Sequence, residues 1–487
     1  MTTSGSSPHV VVVGGGIAGL AAAFFLRGQV VNGAPVRVTV LEGAPRIGGK
    51  LSASEVAGVR VDEGAEALLA RRPEGTDLIQ ASGLGAGLVP AATVSSAIWT
   101  RGAMRPLPRR QFMGVPADMD ELAATGVVSP AGVDRARHEA RLHRDGDISV
   151  AGYIGGALGG EIVDRLVDPL LGGVYAGRSE DLSFDATLAP LAAATRGHPT
   201  LTAAAATLAP PPAAAGGGPP APVFVTLTTG LGTLPQELAR ASGASVRAGA
   251  MVRELARTPD GWRLTIGSAA DPGYLDADAV ILACPAAPAA RLLAAVAPGA
   301  ARPLGEIPYA SMAIITLAYP AEAFPETARS GYLVPAVDGK AVKAVTFSTV
   351  KWPHLAKAAA DAGTAVHVVR CSVGRVGEVA VLQRDDADLV ALAAAELAEA
   401  TGITGKPADS RVTRWGGGLP QYNVGHGDRV ARIRAAVEGQ PGLAVAGAAY
   451  DGVGIPACVA TARAAVTRVL AGLQGAGAAT SPDGRDR

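Results

Sequence analysis

The sequence predicts a mixed α/β protein in which a discontinuous Rossmann-like nucleotide-binding domain carries a helical domain and a sheet-based substrate domain. Three observations predict this class. A strand, glycine turn, helix and second strand open the chain, strand patterns return near its middle, and another strand–glycine turn–helix pattern lies near the C-terminus. Because these patterns are far apart in sequence, we expect separated segments to assemble one sheet.

The predicted domain boundaries follow these patterns. The nucleotide-binding domain is expected in three pieces, and helical composition, a Pro/Gly-rich stretch and later strand patterns define the segments between them. The pieces of the nucleotide-binding domain are 8–75, 223–300 and 411–473, and the remaining segments are a mainly helical domain (76–200), a low-complexity loop (201–222), a substrate-binding sheet domain (301–410) and a disordered tail (474–487).

Composition excludes several classes of protein. Of the 487 residues, 48% are hydrophobic and 18% are charged, so the chain has enough apolar side chains for buried cores. Lys and Arg total 43, as do Asp and Glu, and this zero net charge argues against a nucleic-acid-binding role. The cysteines, Cys284, Cys371 and Cys458, show neither disulfide nor metal spacing, which favours a reducing, cytoplasmic compartment.

Two long apolar stretches are expected to belong to the folded domains or to a loop. Residues 10–26 have no preceding Lys or Arg and are interrupted by glycines, which disfavours a secretory signal. Residues 197–236 are broken by several prolines, which favours a flexible insertion over a spanning helix. We therefore expect no integral membrane segment.

The N-terminal unit carries the first nucleotide-binding motif. Residues 10–13 are four valines, a pattern typical of a strand buried on both faces. The GxGxxG turn that follows allows a tight bend, close approach of a pyrophosphate, and close helix–strand packing, and the helix directs its N-terminus at phosphate. A second strand ends in an acid suited to ribose hydroxyls. The predicted contacts are Gly14, Gly15, Gly16, Ile17, Ala18, Gly19, Glu42 and Gly43.

A second glycine turn favours FAD over NAD. Arg46, Gly49 and Lys50 belong to the sequence RIGGK, directly after the first unit. A domain that binds only NAD does not need this cationic turn, whereas the longer FAD molecule extends past the first loop. The order GxGxxG, terminal Glu and RxGG followed by a basic residue resembles the FAD-dependent amine oxidase and protoporphyrinogen oxidase superfamily.

The C-terminal turn independently supports FAD. A glycine-rich turn over 447–456 joins a buried strand to a helix. The helix N-terminus would stabilise the negative charge of a reduced flavin by up to ~1–2 kcal/mol. The predicted contacts here are Gly447, Gly452, Val453, Gly454 and Ile455.

Three further stretches resemble the protoporphyrinogen oxidase family. They are PLLGGVYAG at 169–177, RW…LPQY…GH at 414–426, and GAEALLARR at 64–72, which lies where the family has a GPDSFL-like flavin segment. The resemblance spans nearly the whole chain and is greatest to the soluble coproporphyrinogen III oxidase branch of Gram-positive bacteria. The chain departs from the pattern where Ala-Glu-Ala replaces Pro-Asp-Ser, Leu419 replaces Met, and Arg178 follows the YAG sequence. The further flavin contacts that the resemblance implies are Gly64, Ala65, Glu66, Ala67, Val252 and Trp415.

The resemblance also implies an activity. Coproporphyrinogen III would lose six electrons in three flavin cycles, each passing a hydride to flavin N5, and oxygen would reoxidise the flavin to give hydrogen peroxide. The alternatives are protoporphyrinogen IX as substrate, another flavin amine oxidase or carotenoid desaturase, and a flavoprotein that serves haem-pathway enzymes with little turnover. A transient contact with a ferrochelatase is also left open.

Propionate groups on such a substrate require cations. The branch substrate bears four propionates, so arginine and lysine side chains near the cavity are candidate contacts. Tyr175 is a candidate cavity residue and His426 a candidate for orienting its own loop. The cationic candidates are Arg71, Arg72, Arg178, Lys340, Lys343 and Lys351.

Overall fold

A parallel five-stranded sheet, here called the nucleotide-binding sheet, forms the centre of the protein. The computed structural model describes residues 7–141, 144–210 and 221–479. Each neighbouring pair of strands in this sheet is parallel, and Val11 lies between Thr39 and Val280. The N-terminal, middle and C-terminal segments all contribute, which confirms the discontinuous Rossmann-like class. In spatial order the strands are Ser245–Arg247, Arg37–Leu41, His9–Val13, Ala279–Leu282 and Leu443–Val445.

The valine run of the first strand is buried on both faces, as its sequence predicts. Val10 and Val12 pack into a core with the helix Ile17–Leu26, while Val11 and Val13 pack into the core on the opposite face. Helices and a small antiparallel sheet cover the two faces. These elements are the helices Pro73–Ala81, Leu234–Ser242, Ala286–Leu293, Pro298–Gly305, His426–Glu438 and Ile455–Ala479, and the strands Val252–Thr258, Gly261–Gly267 and Pro272–Ala277.

The last helix extends into the segment that was predicted to be a disordered tail. It continues to Ala479, so the expectation of disorder is wrong for residues 474–479, and 480–487 lie outside the described residues. Among the described residues, only the part Ile455–Gly475 is long and apolar enough to cross a membrane, judged by length and composition. Its most apolar window is 56% buried, and the helix packs on Ile17–Leu26, as expected of a core helix.

A second, seven-stranded sheet, here called the substrate sheet, differs from the predicted domain organisation in two respects. Segment 76–200 was expected to be mainly helical, but it contributes the first two strands, and the last strand crosses the predicted boundary at 410/411. The sequence pattern does not reveal these strands because they are short or paired with distant segments. In spatial order the strands are Ala103–Pro106, Ser96–Thr100, Gly331–Leu333, Val342–Phe347, Val366–Val373, Tyr309–Pro320 and Asp409–Pro420.

The helical domain packs its helices around a separate core. Asp118 caps the first helix, since its carboxylate accepts from the Asp120 and Glu121 amides at 3.0 Å. Thr200 caps a helix inside the predicted 201–222 loop, of which 211–220 lie outside the described residues. The helices are Met119–Thr125, Pro130–Arg137, Gly156–Leu158, Gly160–Ile162, Asp168–Tyr175, Phe184–Thr187, Ala189–Ala194 and Leu201–Leu208, with π-helical turns at Ala151–Gly155 and Val163–Val167.

Shorter elements complete the chain. The helix Asp386–Thr401 covers the substrate sheet. The other helices are Ser348–Lys351, Pro353–Asp361 and Val379–Leu382, with 3₁₀ turns at Gly85–Gly87, Leu231–Thr233, Ala321–Ala323 and Ala336–Asp338. The remaining strands are Val30–Val31, Ala34–Pro35, Ala53–Val56, Val59–Asp62, Leu68–Leu69, Leu88–Pro90, Gln111–Phe112, Val115–Pro116 and Phe224–Leu227.

Candidate functional site

The three motif glycines of the first turn have distinct roles. Gly14 has φ +113° and faces the Ala283 carbonyl, where a Cβ atom would lie 2.6 Å from the oxygen. A Cβ on Gly19 would lie 1.9 Å from the Gly14 oxygen, so helix and strand could not approach. A Cβ on Gly16 would meet no described atom within 4 Å. The turn therefore leaves open space where the helix beginning at Ile17 presents its amides.

Glu42 is held at the end of its strand by the two neighbouring turns. Its Oε2 accepts from the Gly15 amide and its Oε1 from the Ala44 amide, both at 2.7 Å. A carboxylate has lone pairs beyond these two bonds, so it retains capacity to accept ribose hydroxyls. The structure thus fixes the orientation of the acid that the motif predicts.

The start of the small antiparallel sheet lies beside this acid. The Ala250 amide donates to the Glu42 carbonyl at 2.7 Å, and a Cβ on Gly43 would lie 2.6 Å from the Met251 Cε. Val252 follows and is buried. Gly43 and Val252 therefore lie near Glu42, in the positions expected for the adenine end of a dinucleotide.

The second glycine turn packs directly on the first. The Gly48 amide donates to the Gly15 carbonyl at 2.8 Å, and a Cβ on Gly49 would lie 3.6 Å from Gly16 Cα. Arg46 is exposed, and its Nη2 donates to the Gly49 carbonyl at 3.1 Å. Arg46 thus braces its own turn through backbone bonds.

Lys50, Gly64 and Trp415 converge beyond the second turn. A Cβ on Gly64 would lie 2.1 Å from the Lys50 carbonyl oxygen and 3.1 Å from Trp415 Cζ2. The Trp415 indole donates to the Glu63 carbonyl at 3.1 Å. The exposed side chain of Lys50 makes no hydrogen bond or ion pair with any residue in the described part of the chain. An unpaired ammonium here suits an anionic ligand.

Glu66 anchors the neighbouring flavin segment to the substrate sheet. Its carboxylate pairs with Lys351 at 2.9 Å and with Arg370 at 2.5 Å, and Arg370 also donates to the Gly64 carbonyl at 2.6 Å. Burial opposes ionisation, but the two cations outweigh it and lower the pKa of Glu66 to about 2. Lys351 is therefore occupied by Glu66, contrary to its predicted propionate role. Ala65 and Ala67 flank this anchor and are half-buried.

The sequence interpretation missed Arg370. This arginine is the only Arg, Lys, Asp or Glu in the strand Val366–Val373, and its side chain is only 8% exposed. A charged residue within a buried strand needs an ionic partner, and this charge in a largely apolar strand was the available signal.

The C-terminal glycine turn lies beside the first turn, since a Cβ on Gly447 would lie 3.9 Å from Ala18 Cβ. Gly447 and Gly452 have φ of +121° and +139°, a region that favours glycine. The Gly447 amide donates to the Thr461 hydroxyl at 2.9 Å. Val453 packs against the helical-domain core, and after Gly454 the last helix begins at Ile455. The turn thus lies between the nucleotide-binding sheet and the helical domain.

Three of the other predicted cationic contacts have partners within the protein. Arg72 pairs with Glu74 at 2.7 Å, and Lys340 pairs with Glu399 at 2.5 Å. Lys343 is buried, and its Nζ donates to the Gly374 carbonyl at 2.8 Å. These side chains stabilise local structure, so their predicted propionate roles lose support.

Arg71 and Arg178 remain exposed. The Arg178 Nε donates to the Val376 carbonyl at 3.2 Å. Arg71 makes no hydrogen bond or ion pair with any residue that the structure describes, and it follows the short strand Leu68–Leu69 after the flavin segment. Tyr175 is buried, which raises its pKa to about 12, and its ring lies 5.4 Å from that of Tyr422. Arg71 is therefore the predicted cation most available to a ligand.

The fold and the site define a Rossmann-type dinucleotide-binding enzyme. The open space at Gly16 fits a pyrophosphate, and the unpaired Lys50 adds positive charge beside it. Residues 17–470 match the family model described as flavin containing amine oxidoreductase, and the chain belongs to this family. Its cofactor is FAD, as the two glycine turns predict.

Similar proteins cover almost the whole chain. A Mycobacterium tuberculosis protein named coproporphyrinogen III oxidase is 37% identical over 95% of this chain and 97% of its own length. A Bacillus subtilis protein of the same name is 30% identical over 96% of this chain and 99% of its own. A crystal structure from Exiguobacterium sp. 255-15, provisionally named protoporphyrinogen oxidase, has a TM-score of 0.81 at 29% identity, covering 96% of this chain and 99% of its own.

Proposed function

We propose that this chain is an FAD-dependent, oxygen-using oxidase that converts coproporphyrinogen III to coproporphyrin III. The observation that carries the proposal is the similarity, over 95% and 96% of the chain, to two bacterial proteins of that name at 37% and 30% identity. The convergence of both glycine turns, the flavin segment and Trp415 supports an intact cofactor site.

The protein's own part in the reaction is binding and orientation. When bound, the flavin would accept two electrons per cycle and pass them to oxygen, which yields hydrogen peroxide. The amides at Ile17 would hold the phosphates, with Lys50 adding positive charge beside them, and Gly64 and Trp415 would border the flavin ring. No strong side-chain base is required, because a cation left at the methylene bridge is delocalised over the pyrroles and releases a proton from pyrrole nitrogen.

Arg71 is the residue that we expect to bind a substrate carboxylate. It is exposed, lacks a partner in the described part of the chain, and follows the segment that borders the flavin. A hydrogen bond from a charged group contributes ~1.5–3 kcal/mol, which corresponds to a loss of roughly tenfold or more in kcat/KM when it is removed. Arg72 is the matched control, because Glu74 already neutralises it at 2.7 Å.

Porphyrin fluorescence tests both claims. The purified holoprotein is supplied with coproporphyrinogen III or protoporphyrinogen IX under air, and Arg71→Ala and Arg72→Ala are compared with it. We expect the wild-type protein to form coproporphyrin faster than protoporphyrin. We also expect kcat/KM for coproporphyrinogen III to fall mainly in Arg71→Ala and to change little in Arg72→Ala. The alternative, a protoporphyrinogen IX oxidase, is favoured by the name of the Exiguobacterium structure. A preference for protoporphyrinogen would overturn the proposed substrate, and equal effects of both variants would overturn the role of Arg71.

Two further proposals concern the surroundings of the enzyme. Cytoplasmic location is supported by the three cysteines, none of which forms a disulfide. A transient contact with a ferrochelatase would deliver the porphyrin product. Cell fractionation tests the first proposal, and a change in oxidase turnover on adding a purified ferrochelatase tests the second.

A further inference from the structure

Tyr422 bridges the two sides of the C-terminal glycine turn. Its hydroxyl donates to the Ala448 carbonyl at 2.6 Å and accepts from the Gly452 amide at 2.8 Å. The side chain is 1% exposed, and burial raises its pKa above the ordinary value, so the hydroxyl stays protonated. One hydroxyl thus spans five residues of the turn that precedes the helix at Ile455.

His426 supports the same turn from beside Tyr422. The two rings stack, with centroids 3.8 Å apart and an interplanar angle of 11°. The His426 Nε2 lies 3.0 Å from the Tyr450 carbonyl and must donate to it, while Nδ1 has no partner among the described residues. Burial lowers the pKa of His426, which favours the neutral ring. Together, the two rings hold three backbone groups of the turn.

The same short segment is fixed from its other side by the helical domain. Gln421 Nε2 donates to the Tyr175 carbonyl at 2.8 Å, and the Ser183 amide donates to the Tyr422 carbonyl at 2.7 Å. The Val424 amide donates to the Asp181 carbonyl at 3.0 Å. Because hydrogen bonds on both sides of Tyr422 fix the backbone of this segment, the position of the Tyr422 side chain beside the turn is fixed as well.

We propose that Tyr422 is a positioning residue of the flavin site, whose hydroxyl sets the glycine turn that aims the helix beginning at Ile455 at the flavin. The inference rests on the family's cofactor, and it goes beyond the proposed function by assigning a role to a residue outside the nucleotide motifs. Without the hydroxyl, the Ala448 carbonyl and the Gly452 amide lose their bonds and the turn is free to shift. The positive end of the helix then stabilises a reduced flavin less well.

The test is Tyr422→Phe, compared with Tyr319→Phe. Tyr319 is also 1% exposed but lies in the substrate sheet, in the strand Tyr309–Pro320. We expect Tyr422→Phe to bind FAD about tenfold more weakly, which corresponds to about 1.4 kcal/mol. We also expect an altered visible absorption spectrum of the bound flavin and a more negative midpoint potential. Tyr319→Phe should leave all three unchanged.

Two variants of His426 keep the proposal testable if Tyr422→Phe does not fold. His426→Leu removes the bond to Tyr450 and should shift the spectrum and potential in the same direction, whereas His426→Gln retains a donor and should restore part of the wild-type values. Wild-type FAD affinity, spectrum and potential in Tyr422→Phe, or in His426→Leu where the former is unfolded, would overturn the proposal. These measurements use no porphyrinogen, so a failed substrate assay would not contradict the role of Tyr422. Likewise, unchanged flavin properties in the Tyr422 variant would not contradict the proposed substrate.

Discussion

Glu66 is expected to be one of the most important single carboxylates for the stability of the protein. Glu66→Gln keeps the shape of the side chain but removes the charge that neutralises Lys351 and Arg370, which are 14% and 8% exposed. The pKa of Glu66 falls from 4.5 to about 2 in the folded protein. At about 1.4 kcal/mol per pKa unit this is worth ~3 kcal/mol, within the ~3–5 kcal/mol typical of breaking a buried pair.

The sign of the pH dependence follows from the lowered pKa. The contribution is fully present above pH 4.5, the ordinary pKa of the carboxyl, and is lost as the pH falls towards about 2. Urea unfolding at neutral and acidic pH measures it. We expect Glu66→Gln to lower the free energy of unfolding by ~3 kcal/mol at pH 7 and to reduce the acid dependence.

A matched control and a double variant complete the test of Glu66. Glu237→Gln removes the acid of a pair with Arg240, in which the Glu237 and Arg240 side chains are 21% and 74% exposed, and should leave stability almost unchanged. Adding Arg370→Met to Glu66→Gln removes an uncompensated buried charge and should recover part of the loss. If Glu66→Gln is as stable as Glu237→Gln, the reasoning about the buried ionic cluster is refuted.

Further predictions concern the glycine turn and a buried lysine. Gly16→Ala should weaken FAD binding at least tenfold, because its Cβ would enter the open space expected to hold the pyrophosphate, while the melting temperature of the apoprotein stays unchanged. Gly160→Ala, whose Cβ also enters open space, is the control. If an FAD titration shows unchanged affinity in both variants, this prediction is contradicted. Gly19→Ala should prevent folding, as judged by circular dichroism, since its Cβ would lie 1.9 Å from a backbone oxygen. Burial, aided by Arg375, lowers the pKa of Lys343 to about 7, so the wild-type free energy of unfolding should rise between pH 7 and 10.5. Lys343→Met should remove that rise in urea titrations, and an unchanged slope would disprove it.

Local patterns were sufficient to predict the nucleotide-binding sheet and its turns. The valine run, the GxGxxG spacing and the acid at position 42 each constrain backbone geometry within a few residues, so they can be read from one segment. The predicted neighbours Gly49, Gly64 and Trp415 do converge in space. Their common signal was the family resemblance, because no local rule links residues more than three hundred positions apart.

Tertiary pairing explains most of what the sequence could not show. The strand Ser96–Thr100 is recognisable only beside its partner Gly331–Leu333, and its own segment has a helical composition overall. The fate of the cations likewise depends on distant acids, since Lys351 lies 285 residues from Glu66. Charge alone marked these lysines as substrate contacts, whereas burial beside a carboxylate makes Lys351 structural.

Anaerobic mixing of the purified holoprotein with coproporphyrinogen III tests the central claim most directly. The account predicts that the visible band of the bound flavin disappears on mixing and returns with air, with coproporphyrin and three hydrogen peroxide molecules formed for the six electrons removed. A flavin that stays oxidised with this substrate, but is reduced by protoporphyrinogen IX or by an amine, would contradict the account.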